Sequence, residues 1–131
     1  MPASNYVRTN TLAAWLQRQS ITIPSNLYCA LFSTNPTAAN SGTEVSGGGY
    51  ARAPVSFSTP TISGDRAVIQ NNAEVVFPKL TASAGTAAYV AIFDAQVGGN
   101  LLFFQALSTS LTLAYGYTPY FAAGELKVYL T

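Results

Sequence analysis

Tyrosines aside, five carboxylates, six cations, one thiol and no histidine are the ionisable chemistry of this 131-residue chain. Two acids held roughly 5–9.5 Å apart suffice for glycoside cleavage, so Glu44, Asp65, Glu74, Asp94 and Glu125 are the residues to weigh first. Most have a plainer role. Asp65 follows Gly64 and Glu125 follows Gly124 in turn sequences, and Asp94 closes an apolar run ahead of Gly98-Gly99. No two potential metal ligands are spaced to share a face of a helix or strand. Gly47-Gly48-Gly49 lacks the GxxxxGK[ST] frame and the following helix of a phosphate cradle, and reads instead as a flexible lead-in to a strand starting at Tyr50. No catalytic residue, cofactor site or metal site is therefore expected. Cys29, inside LYCALF, is expected to be a buried, inert thiol.

What remains is the chemistry of contact. Tyr115, Tyr117 and Tyr120 flank Gly116 and Pro119, and exposed tyrosines join apolar area to a hydrogen-bonding tip. The stretch Ser33 to Gly49 is long, rich in Ser, Thr, Asn and Gly, and without apolar periodicity. Loops of that length in compact domains carry function or move. It is expected to reach outward as an interaction arm, mobile until a partner orders it. Glu44, its only charge, is expected to pair with Arg52 or with an arginine of a neighbouring subunit. Burial of Val45 and Tyr50 would offset part of the ordering cost. Glu44, Val45, Tyr50, Arg52, Tyr115, Tyr117 and Tyr120 are thus the interface candidates.

These residues need a frame to hold them. Residues 4–19 carry the helical signal, with Ser4 as N-cap and Leu12, Trp15, Leu16 and Gln19 at three-and-four spacing. That stripe is expected to be buried against the rest of the fold or against a neighbouring subunit. After Pro24 the chain turns to short β-rich runs punctuated by Gly, Pro, Asn and Ser. Strands are predicted at 27–33, 50–58, 66–71, 73–77, 87–94, 101–107, 117–121 and 126–131. In the last of these, Leu126, Val128 and Leu130 alternate with Lys127, Tyr129 and Thr131, as in a half-buried strand. AAYVAIFDA and LLFFQAL are nearly continuous apolar runs, which predicts cover on both faces. Gly98-Gly99-Asn100 between them reads as a hairpin turn. The fold class predicted is mainly β: an antiparallel, jelly-roll-like β-sandwich (25–131) preceded by a helical segment (1–24), in one domain.

Composition narrows the function classes further. The chain is 49% hydrophobic but only 8% charged, with a net charge of +1. Disordered chains have the opposite profile. A surface so poor in charge tends to associate, which predicts an assembly subunit held by apolar and neutral polar contacts. Arg8, Arg18, Arg52, Arg66, Lys79 and Lys127 are scattered singly, against a nucleic-acid partner. The longest purely apolar run, Ala87 to Phe93, is far short of the roughly 20 residues of a membrane span, and no membrane partner is expected. MPASNYVRTN has no basic segment leading into an apolar one, so folding in a cytoplasm is expected.

The segments LYCALFSTNP, SGTEVSGGGYARAPVSF, NNAEVVFP, AYVAIFDAQVGGNLLFFQAL and TPYFAAGELKVYL, in this order, resemble a family of small tailed-bacteriophage virion proteins. Its members are labelled tail fiber, head decoration or collar proteins. The similarity runs from Leu27 to nearly the end of the chain. It implies a non-enzymatic, β-rich structural subunit of the virion, assembled in the host bacterial cytoplasm. It also implies docking on the capsid exterior or the head-to-tail collar. The partners expected are further copies of the chain in a symmetric homo-oligomer, and other phage structural proteins such as the major capsid protein, the portal or head-to-tail connector, or tail proteins. An alternative is a receptor- or glycan-binding fiber module, and a remote third is the two-acid glycosidase. The chain departs from the family pattern at Ala84, where an aromatic is usual, and at LAYGY before the TP.

Overall fold

A computed structural model describes residues 1–131. One helix, α1 (Asn5–Leu16), precedes nine strands: β1 (Leu27–Phe32), β2 (Ala53–Val55), β3 (Thr61–Ser63), β4 (Arg66–Gln70), β5 (Val75–Val76), β6 (Gly85–Phe93), β7 (Leu101–Leu113), β8 (Tyr120–Phe121) and β9 (Lys127–Leu130). They form three antiparallel sheets in the orders β2-β1-β6-β7, β3-β4-β9 and β5-β8. The chain is mainly β, and the sheets are layered as a sandwich about a shared core.

The two apolar runs explain that layering. Cys29 pairs with Ile92 and Leu31 with Val90 in the β1–β6 ladder, and all four point into the main core with Val75, Phe121 and Val128 of the smaller sheets and with Phe77 just after β5. Because side chains alternate across a strand, Ala30, Phe32, Ala91 and Phe93 point the opposite way. There they form a second buried cluster with Leu101. Both faces of β6 are covered, as expected, and so are those of β1. β7 differs from expectation, with Leu101 and Leu102 buried, Phe103 and Phe104 half-buried and Gln105 and Ala106 exposed, because β7 is the edge strand of its sheet. Asn71 ties the smaller sheets together from within the core. Its Nδ2 donates to the Ala73 and Ala122 carbonyls and its Oδ1 accepts from Leu126 N, so the buried amide is fully paired.

Several boundaries differ from expectation. β2 is only three residues long, its ladder to β1 limited to the pairs Ala53–Cys29, Pro54–Tyr28 and Val55–Leu27. β3 was not predicted: TIS is wholly exposed and too short for its single apolar residue to register as alternation, and it exists because β4 supplies its ladder. β7 runs on through STSLTL, where a register shift opposite Ala88 lets hydroxyl-bearing residues 108–110 stand outside the β6 pairing. The turn joining β6 to β7 spans residues 94–100 and is held by Asp94, whose Oδ1 and Oδ2 accept from Asn100 N and Nδ2 at 2.7 and 2.9 Å.

The helix begins where the cap demands. Ser4 has extended backbone and its Oγ accepts from Val7 N at 3.2 Å. It ends at Leu16, with Arg18 in the left-handed conformation at φ 55°, so Gln19 lies outside it. The predicted stripe is not buried against the sandwich. Leu12, Trp15 and Leu16 are 60%, 80% and 78% exposed, while Val7, Asn10, Thr11 and Ala14 form the half-buried face. The chain just ahead of the helix sets this azimuth. Ala3 bridges Phe103, Phe104 N donates to the Pro2 carbonyl, and the buried Ser4 N donates to Leu102 O at 2.8 Å. With the first turn pinned to the β7 edge, the rotation of the apolar stripe is no longer free.

Candidate functional site

The segment GTEVSGGGYAR concentrates most of the interface candidates, and the fold gathers them into one network. Arg52 is buried, and its guanidinium meets Glu44 in a two-pronged pair, Nε to Oε2 and Nη2 to Oε1, both at 2.9 Å. The side chains are only 7% and 26% exposed. The remaining nitrogen, Nη1, donates to the carbonyls of Ala95 at 2.8 Å and Gly98 at 2.7 Å. The plane lies over the Phe93 ring, 3.8 Å from its centroid, and Phe93 stacks in turn on Phe32. A planar fork with five donors suits this position, where a lysine would not reach all four oxygens.

Tyr50 links the network to the core. Its hydroxyl donates to Glu44 Oε2 at 2.7 Å and accepts from Leu31 N at 3.0 Å, while its ring stacks on Phe77. Phe77 then meets Phe121 edge-on. Burial pushes the Tyr50 hydroxyl well above the usual tyrosine range, and the neighbouring Glu44 carboxylate adds to the shift. Burial alone likewise pushes up the Cys29 thiol. Both groups are neutral in the folded chain and ionise more readily once unfolded, so their contribution is complete at neutral pH and lost as pH rises. From these two groups stability is expected to fall above about pH 8.5–10, where an unfolded Cys and Tyr titrate. Urea midpoints at pH 7 and pH 10.5 check this, and equal midpoints would contradict it.

The loop from Ser33 to Gly49 does not reach outward. Glu44 bridges Phe32, Ser33 N donates to Thr43 O, Val45 N donates to Leu31 O, and Asn5 N at the helix start donates to Ala38 O. Pro36 is fully buried and Val45 joins the main core. The loop lies back over the Phe32–Phe93 cluster and supplies its cover, with its small polar side chains turned to solvent. The triple glycine is not a flexible lead-in. All three glycines have positive φ, the Gly48 carbonyl accepts from Thr81 N, and a Cβ on Gly48 would collide with the Ala82 carbonyl. Gly48→Ala is therefore expected to cost about 2 kcal/mol, combining left-handed strain with a backbone clash, measurable as a lowered denaturation midpoint.

The tyrosine group divides. Tyr117 is half-buried against the core, and its carbonyl accepts from Leu80 N while the neighbouring Gly116 N donates to Leu80 O. Tyr115 and Tyr120 are 79% and 54% exposed and free for contact. Glu44, Val45, Tyr50 and Arg52 make contacts within the chain, among them the expected Glu44–Arg52 pair. The larger open surface is the outward stripe of α1. Between α1 and the β3–β4–β9 sheet lies an apolar groove of about 490 Å³, floored by Ile69, Phe103 and Val128. The three-and-four spacing of Leu12, Trp15 and Leu16 was its signal in the sequence.

A family model described as Podophage GP4 fiber I protein gp80 matches residues 2–129. A search of curated proteins finds no match. The match begins ahead of the N-terminal helix and ends within β9, so it takes in the GTEVSGGGYAR network, the Asn71 tie and the open helix face alike. With nearly the whole length covered, the chain belongs to the Podophage GP4 fiber I protein gp80 family of tailed-phage virion proteins.

Proposed function

We propose that this chain is a non-enzymatic subunit that assembles with copies of itself and docks on the capsid exterior or the head-to-tail collar of the particle. The observation that carries the reading is the outward apolar face of α1 on a chain with only 8% charged residues. Large exposed apolar patches mark contact surfaces, and a surface this poor in charge favours association. The carboxylates fit the same reading. Glu44 is occupied by Arg52 and Tyr50, and Asp94 by Asn100, so two of the five acids serve as structural ties.

Particles lacking the subunit provide the test. Purified protein added to them is expected to co-sediment at a fixed stoichiometry and to appear as symmetric density on the capsid or collar. Absence of particle binding overturns the reading. A second reading, a receptor- or glycan-binding fiber module, is favoured by the exposed Tyr115 and Tyr120 rings, since aromatic faces stack on sugars. Glycan-array binding abolished by Tyr115→Ala, without particle docking, would decide for it.

A further inference from the structure

We infer that the Trp15–Leu16 end of α1 and the groove beside it form one self-complementary surface, occupied by a second copy of this chain about a two-fold axis. The inference rests on the proposed self-assembly and names the surface responsible.

The surface has a ridge and a hollow side by side. Leu12, Trp15 and Leu16 form the ridge. Ala67 and Leu130 line the groove, and Ile62, paired with Ala67 across β3 and β4, continues their row beyond its edge. Leu12, Trp15, Leu16, Ile62 and Leu130 are exposed at between 60% and 80%. At roughly 200 Å² for a tryptophan and roughly 100 Å² for an aliphatic side chain, they present on the order of 450 Å² of apolar surface. Interfaces are about 60% apolar, so this corresponds to about 750 Å² per partner, close to the ~800 Å² of a standard stable interface.

Charge selects the occupant. Arg8 is the only charged side chain lining the groove, and no acid does. An occupant bearing several charges would bury them unpaired, at a large desolvation cost. The ridge LAAWL carries none. Because ridge and hollow adjoin on one surface, a two-fold axis between them seats each ridge in the other copy's groove and closes the contact at two copies.

The test compares wild type with Trp15→Ser/Leu16→Ser on the ridge and Ile62→Glu/Leu130→Glu at the groove. All four positions are exposed, so the single-chain fold is expected to persist, with near-native far-UV circular dichroism. Light scattering is expected to show wild type as a dimer or a multiple of two. Each double variant should lose at least tenfold in self-association. Under oxidation, Trp15→Cys mixed with Ile62→Cys is expected to give a disulfide-linked pair that neither variant gives alone. Undiminished oligomers in both variants would overturn the surface assignment while leaving self-assembly in place. Monomeric wild type that fails to bind particles would overturn both. A monomeric wild type that binds a purified virion protein through the ridge would replace the second copy with that protein.

Discussion

Arg52→Ala is expected to lower the melting temperature by roughly 10–20 °C, from a loss of about 3–5 kcal/mol typical of breaking one half of a buried ion pair. The substitution removes four hydrogen bonds at once. Glu44 is left three-quarters buried with only the Tyr50 hydroxyl to pair with, and the Ala95 and Gly98 carbonyls lose their donor. The Phe93 face loses its cover as well. An unmet buried charge costs far more than the net value of the pair it came from, which is why the effect is large. Arg52→Lys is expected to recover part of the loss, since an ammonium restores the charge but not the planar fork. Raising salt should change the wild-type midpoint little, because buried pairs are weakly screened. Thermal unfolding followed by circular dichroism checks the series; an alanine variant within 2 °C of wild type would show the network to be dispensable.

Phe77→Ala is expected to cost about 3–5 kcal/mol, the range for deleting a fully buried aromatic ring. Phe77 is 2% exposed and sits between Tyr50 and Phe121, so no solvent or flexible side chain is placed to fill the space. Its backbone bond to the Pro119 carbonyl survives the substitution, which confines the loss to packing. The ring also supports the polar network through Tyr50. A double-mutant cycle between Phe77→Ala and Tyr50→Phe is therefore expected to show coupling of at least 0.5 kcal/mol. Urea unfolding with an unchanged m-value would attribute the loss to the folded state. Strict additivity would mean that the aromatic core and the Glu44–Arg52 pair are independent.

The two effects meet at the loop from Ser33 to Gly49. With the loop laid over Phe32 and Phe93, the GTEVSGGGYAR residues close the outer face of the main sheet. Loosening Arg52 is then expected to expose the second cluster before the main core melts. Hydrogen exchange would show it as early loss of protection at Ser33 and Val45, whose N–H groups pair with Thr43 and Leu31.

What the sequence determined by itself is whatever depends on neighbours along the chain. The Ser4 cap, the β6–β7 hairpin, the two-sided burial of β6 and the inert Cys29 are set by local propensity and by unbroken apolar composition. The Glu44–Arg52 pair was also legible, because Glu44 is the only charge in its loop and Arg52 the nearest cation after it. Tertiary structure alone decided which way those elements face. The loop reads as an outward arm because its partners are distant in sequence: Arg52 reaches carbonyls 43 and 46 residues on, and no local pattern announces them. β3 is too short for a pattern to register and exists through its ladder to β4. The stripe on α1 specifies that one face is apolar but not what covers it. Pairing of residues 2–4 with the β7 edge rotates that face outward, so directional backbone hydrogen bonds at the helix start prevail over a non-directional hydrophobic preference.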